Sequence, residues 1–500
     1  MNDIPDFELL ADLIAATARE ASGRIALQDP ARTLTYGQLD ALMDRVAAAL
    51  QRDGVAPGET VAICAASRVE YVAVFLGALR AGVAVAPLAP SSTPASLAAM
   101  LADCAARALF ADATTAGLFE ASAIRLDGDF ASWLAPERAQ PARIAIRPQA
   151  VFNTIYSSGT TGTPKGIDQS HGMRFAHMNR RRIFGYDADA VTLVSTPLYS
   201  NTSLVSVFPA LAGGGRVILM NKFDARRFLE IAQDERVTHA MLVPAQYRRL
   251  MDVPDFDRFD LKSFRLKLST SAPFPADLKR DVLARWPGGL IEYYGMTEGG
   301  GTSMLIAHER PDKLHTVGKP AEGHDIRLID EAGREVGPGE VGEVVGRSPA
   351  MMNAYRNSPD KTRETEWRDA QGRRFIRTGD IGRFDEDGFL ILIDRAKDMI
   401  ISGGFNVYPS DLEAALTARP EVVEAAVVGA PSAAWGETPV GFVVLREGAA
   451  ADAEALRAAV NATLGKTQRL AALHVVQALP RSAIGKVLKR ELREKVGVFG

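Results

Sequence analysis

The 500 residues predict an α/β protein. Its large N-terminal domain, 1–394, is built of layered α/β sheets with a small β subdomain; a small α+β C-terminal domain spans 399–500. Three observations lead there. Length alone suggests two or three cores at about 150 residues per domain. Helical and strand periods alternate through the first third, the rhythm of parallel βαβ layers. From Ile326 the rhythm changes to short strands split by turns, and after the polar stretch Asp394–Asp398 a fresh set of elements begins.

Leu39, Leu42, Val46, Ala49 and Leu50 recur at helical spacing, and Val61–Cys64 is a short apolar run fit for a buried strand. Val69–Arg80 is helical, and Gly82–Leu88 is a strand before the breakers at Pro90–Pro94. The alternation continues with strand Val191–Ser195, helix Leu204–Leu211, strand Arg216–Met220, helix Ala225–Asp234 and strand Ala240–Val243. The β subdomain takes Ile326–Asp330, Gly342–Gly346, Phe375–Arg377 and Leu390–Ile393. Beyond it, Met399–Ser402, Glu424–Val428, Val440–Leu445 and Leu473–Val476 read as strands. Ser410–Arg419, Ala453–Leu464 and Val487–Lys495 read as helices, with Pro409 suited to a helix start.

Composition narrows the class. With 47% hydrophobic and 24% charged residues the chain is not wholly disordered. A net charge of −3 gives no sign of a nucleic-acid partner. Cys64 and Cys104 are too few for a disulfide scaffold or a four-thiolate zinc site. Asp3, Asp6 and Glu8 at the start do not read as a signal peptide, and Arg80 and glycines interrupt Val69–Val85, so no membrane span is expected. A cytoplasmic enzyme is the expectation.

Familiar patterns fall away on inspection. Gly337–Gly342 matches GxGxxG letter by letter, but a strand follows it, so a hairpin turn is expected. Gly159–Gly166 lacks the second glycine and the Ser or Thr of a Walker loop, and neither HExxH nor GxSxG occurs. Residues 156–166, YSSGTTGTPKG, remain. Glycines let backbone N–H groups approach a phosphate chain, hydroxyls add donors and a lysine adds charge. The same composition also suits a polar surface loop.

The loop resembles the signature of the adenylate-forming superfamily, which includes acyl-CoA synthetases, peptide-synthetase adenylation domains and luciferases. Further segments resemble that family in order: Tyr294-Gly295-Met296-Thr297-Glu298, Arg377-Thr378-Gly379-Asp380, Asp394–Asp398 followed by Ser402-Gly403-Gly404, and Leu479–Lys486. By this resemblance Ser157, Ser158, Gly159, Thr160, Thr161, Gly162, Thr163 and Lys165 hold ATP phosphates. Ser271, Ala272, Pro273 and Tyr294–Thr297 line the adenine slot, and Asp380 with Arg395 meets the ribose. Thr160 and Glu298 hold Mg²⁺, a hard cation suited to oxygen. Lys486 bridges carboxylate and α-phosphate. Gly403 and Gly404 pass pantetheine, while Trp435, Lys466 and Arg469 meet the nucleotide end of coenzyme A. The C-terminal domain is mobile, with Lys397 in the hinge at 395–398.

In isolation each residue has an ordinary alternative: Tyr294 in a core, Glu298 a solvated charge, Asp380 a turn cap, Lys486 one of a basic cluster with Lys489 and Arg490. Pro197-Leu198-Tyr199-Ser200 departs from the family, where many members carry His or an aromatic residue at the Ser200 position. Tyr199, Ser200, Gly299 and Gly300 are expected to border the acyl pocket. No arginine is placed by these motifs to read a second carboxylate, so an apolar acyl or aryl monocarboxylate is expected.

The resemblance implies that ATP and the acid give an acyl-adenylate, which coenzyme A converts to acyl-CoA with release of AMP. The partners are those small molecules, with no nucleic acid, and the resemblance leaves a homodimer open. Delivery to a separate carrier protein and luciferase-like oxidation are the alternatives; no fused carrier module is expected after Lys486, which favours a diffusible thiol.

Overall fold

The computed structural model describes residues 7–119, 122–157, 165–395, 398–402, 405–432, 435–449, 451–464, 468–481 and 487–496. The chain divides into two compact units, Met1–Ile326 with Gly346–Ile376, and Arg327–Val345 with Arg377–Gly500. The architecture is mixed α/β, with a large N-terminal and a small C-terminal domain.

Two sheets organise the first unit. In the nine-stranded sheet, Arg216–Leu219, Val191–Val194, His239–Leu242, Leu266–Ser269 and Gly289–Tyr294 lie side by side and parallel. Covered on both faces, such strands read as unbroken buried runs rather than alternating ones, as His239–Leu242 and Leu266–Ser269 do. The antiparallel strand Ser303–Ile306 flanks Gly289–Tyr294. In the seven-stranded sheet Ala84–Pro87 is central, and Val151–Ser157 forms a hairpin with Lys165–Ser170. Phe75 on helix Val69–Arg80, Phe152 on a strand and Phe208 on helix Asn201–Ala212 meet with ring centroids 5.3–5.9 Å apart.

Helices Val69–Arg80 and Ala225–Asp234 occupy the expected residues. The helix expected at Leu204–Leu211 begins earlier, at Asn201, because the Ser200 hydroxyl caps it by accepting the Thr202 N–H at 3.3 Å. The short strand expected at Phe375–Arg377 is an eleven-residue strand, Arg374–Phe384. Its first half pairs with Glu366–Arg368 and its second with Leu390–Arg395, so two partners sustain what one apolar triplet suggested. Gly337–Gly342 is a turn as expected: Gly339 has φ +80°, and the Glu340 carboxylate accepts the Gly337 N–H at 2.7 Å.

In the second unit Ile400–Ser402, Gly436–Leu445 and Val422–Ser432 form a sheet, with Ala472–Val475 parallel to Gly436–Leu445. Asp394 and Arg395 end the strand Leu390–Arg395, and the Asp394 carboxylate accepts the Ser410 N–H at 3.0 Å, where helix Pro409–Thr417 begins. No helix among the described residues is long and apolar enough to cross a membrane.

Candidate active site

Parallel strands deliver their following loops to one edge of a sheet, where ligands of open α/β sheets bind. Three predicted segments follow such ends: Tyr199-Ser200 after Val191–Val194, Ser271-Ala272-Pro273 after Leu266–Ser269, and Gly295–Glu298 after Gly289–Tyr294. Ser271 has φ +82°, a conformation few non-glycine residues adopt. Its hydroxyl and that of Thr202 lie 2.7 Å apart, tying the Ser271 turn to the first turn of helix Asn201–Ala212.

The hairpin Val151–Ser157/Lys165–Ser170 brings the ends of the predicted phosphate loop together, pairing Ser157 with Lys165. Gln169 on its second strand donates to the Thr297 carbonyl at 2.6 Å. Arg174 fixes Gln169 from beneath, donating to its side-chain oxygen and, at 2.8 Å, to that of Asn153. Fully buried against the rings of Phe152 and Phe208, this guanidinium has its pKa pushed down to about 9 by burial.

Glu298 is buried. The Tyr355 hydroxyl donates to Glu298 Oε1 at 2.7 Å, and the Glu298 carbonyl accepts the Met352 N–H at 2.8 Å. Burial, then the Glu298 charge, raises the Tyr355 phenol pKa, keeping it a donor. Lys165 Nζ lies 5.3 Å from the centre of the Tyr355 ring. Glu298 offers one carboxylate oxygen of the kind Mg²⁺ takes, and no group of three or more acidic, His or Cys side chains that could hold a metal occurs among the described residues.

Gly299 and Gly300 pack on backbone, and Gly301 packs on the Ile326 side chain. Gly299 (φ +80°) and Gly300 (φ +86°) hold left-handed conformations, and a Cβ at Gly299 would meet the Ala350 carbonyl oxygen at 1.9 Å. A Cβ at Gly300 would meet the Gly346 oxygen at 3.0 Å, so close approach is one reason for glycine there. Tyr199 is half-buried, and burial raises its phenol pKa.

In the second unit Arg395 Nε lies 2.9 Å from Asp380 Oδ1, and their strands pair the two residues directly. The Thr378 hydroxyl accepts the Asp380 N–H at 3.0 Å. Trp435 is 55% exposed and Arg469 is exposed, both open to a ligand. Ser158, Gly159, Thr160, Thr161, Gly162, Thr163, Lys397, Gly403, Gly404, Lys466 and Lys486 lie outside the described residues. Sequence reading missed Gln169, Arg174 and Tyr355. Tyr355 stands 57 positions from Glu298, so no local spacing could have paired them.

Residues 14–356 match the family model described as AMP-binding enzyme, and 411–486 match the AMP-binding enzyme C-terminal domain. The chain is 32% identical to an indoleacetate–CoA ligase of Aromatoleum aromaticum, covering 97% of this chain and 98% of the relative. It is 31% identical to ScoC, a fatty acid–[acyl-carrier-protein] ligase of Streptomyces coeruleorubidus, over 98% and 97%. The structure resembles ATP-bound MatB of Rhodopseudomonas palustris with a TM-score of 0.87 at 30% identity, covering 97% of this chain and 98% of that one.

Proposed function

The chain belongs to the AMP-binding enzyme family, and on that premise we propose that it is an acid–thiol ligase acting on an apolar acyl or aryl carboxylic acid. In the first half-reaction a carboxylate oxygen attacks the α-phosphorus of ATP. A C–O–P linkage forms, the α–β phosphoanhydride bond breaks, and pyrophosphate leaves. In the second, the sulfur of coenzyme A attacks the acyl carbon, the bond to AMP breaks, and the thiol proton is released. Two anions must meet in the first step, so oriented donors and positive charge are the main requirement.

The observation that carries this reading is the tie from Arg174 through Gln169 to the Thr297 carbonyl, next to buried Glu298. It links the base of the 157–165 hairpin to the segment after Tyr294. Glu298 and Thr160 are the proposed holders of Mg²⁺, which would offset phosphate charge when bound. Lys165 is proposed to assist at the phosphates, Tyr294 to stack on adenine and Asp380 to accept from ribose hydroxyls. Coenzyme A as acceptor is supported by the indoleacetate–CoA ligase and by exposed Trp435. The carrier-protein alternative is favoured by ScoC.

Lys486 is proposed to bridge the reacting carboxylate and α-phosphate, and rotation at Lys397 to exchange it for the Gly403-Gly404 face. Lys486→Ala should lose about 10²–10³-fold in adenylate formation, the scale for one aimed donor. Thioester formation from supplied acyl-adenylate should stay near the parent rate. Equal loss in both half-reactions, measured separately in single turnovers, contradicts the assignment.

A further inference from the structure

A group of cationic and donor side chains stands beside the glycine run, apart from the residues given to ATP. His177, on helix His171–Asn179, is buried, and its Nδ1 has no hydrogen-bond partner among the described residues. Arg180 caps the end of that helix. Its guanidinium lies 5.5 Å from the centre of the Tyr293 ring and 3.5 Å from the Thr302 hydroxyl, the long limit of a hydrogen bond. No carboxylate among the described residues pairs with Arg180. His324 completes the group: its Nδ1 accepts the Thr302 N–H at 2.9 Å, which places the ring proton on Nε2 and leaves that nitrogen a donor.

Thr302 follows Gly301 directly, so the group adjoins the Gly299–Gly301 run that borders the expected acyl pocket. The helix carrying His177 packs on helix Asn201–Ala212, which Ser200 caps at the same expected pocket. A half-buried cation whose partners are the neutral Tyr293 and Thr302 hydroxyls, and a buried imidazole nitrogen with none, leave donor capacity that a ligand's acceptors would satisfy. Burial holds the pKa of both histidines low, to about 4 for His324, and Arg180 lowers them further. The group therefore offers N–H donors and one fixed positive charge, complementary to an acceptor-only anion.

We propose that Arg180, His177 and His324 form the far end of the acyl pocket and bind a second carboxylate, carried on the otherwise apolar body of the acid that is activated. This rests on the adenylation reading above and refines its substrate class from a monocarboxylate to a dicarboxylate.

The test compares full-length enzyme on matched acids, one aryl set and one linear set. Within each set the far end bears a carboxylate, a hydroxyl or a methyl group. The carboxylate member should exceed the methyl member by about tenfold or more in kcat/KM for pyrophosphate release, because a site built of donors rejects analogues that cannot pair with it. Arg180→Met should collapse that ratio through the KM of the acid, moving the KM of ATP less than about twofold, and Arg180→Lys should retain part of it. Equal or better use of the methyl or hydroxyl member overturns the proposal, and that comparison needs no variant to fold. If no acid supports pyrophosphate release, the adenylation reading fails instead. Calorimetric titration with the dicarboxylates then still decides this site: heat seen with the parent and lost in Arg180→Met supports it, and no heat overturns it.

Discussion

Glu298 meets two demands at once, since its carboxylate is buried and one of its oxygens is already engaged by the Tyr355 hydroxyl at 2.7 Å. The hydrogen bond fixes the carboxylate rotamer, as a supporting partner would for the metal ligand proposed above. Glu298→Gln should therefore raise the Mg²⁺ concentration needed for half-maximal adenylation by about tenfold or more. Tyr355→Phe should move it in the same direction by less, since one orienting hydrogen bond is lost while the ligand remains. A Mg²⁺ titration of pyrophosphate release checks both, and unchanged curves would leave Glu298 a structural carboxylate. The motif alone singled out Glu298 as a candidate. Its partner was not legible there, because Tyr355 reaches it through tertiary folding. The glycines after it were legible as a run, but their steric reason, the Ala350 carbonyl against Gly299, lies 51 positions away in the chain.

At the scale of elements, helix His171–Asn179 links the fold to the site. Ser170 caps it by accepting the Met173 N–H at 3.1 Å, and its buried face carries His171, Arg174 and His177. These polar residues at helical spacing gave no apolar stripe, so periodicity passed the helix by. Where the stripe is apolar, as in Val69–Arg80, sequence and structure coincide. The buried histidine also sets a pH response. His171 packs edge-on to Phe152 at 5.0 Å, and burial pushes its pKa down to about 4 from an ordinary 6.5. The unfolded chain takes up the proton below pH 6.5, whereas the folded one does so only near 4. This contribution is thus fully present above pH 6.5 and is lost as pH falls towards 4, of order 1–3 kcal/mol. Denaturation midpoints should fall between pH 6.5 and 4.5, less steeply in His171→Gln than in the parent. Equal slopes would show that His171 already titrates normally in the fold.

For the whole molecule, the order of motifs from 156 to 486 was legible because each chemical role needs a short, local set of residue types. What the sequence did not reveal was how those sets are held. Ser271 depends on Thr202, Thr297 on Gln169 and Arg174, and Asp380 on Arg395, all through contacts across strands or between loops. Within the first unit the parallel sheet explains why the Ser271 and Thr297 segments lie together, since the carboxyl ends of Val191–Val194, Leu266–Ser269 and Gly289–Tyr294 share one edge. The central claim, activation of a carboxylic acid as its adenylate, is tested most directly by pyrophosphate release from ATP across a panel of mono- and dicarboxylic acids, with AMP and ADP quantified together. The account predicts release only when an acid is present, in equal amount with AMP once coenzyme A is supplied, and no ADP. ADP in place of AMP, or pyrophosphate release indifferent to every acid, would contradict it.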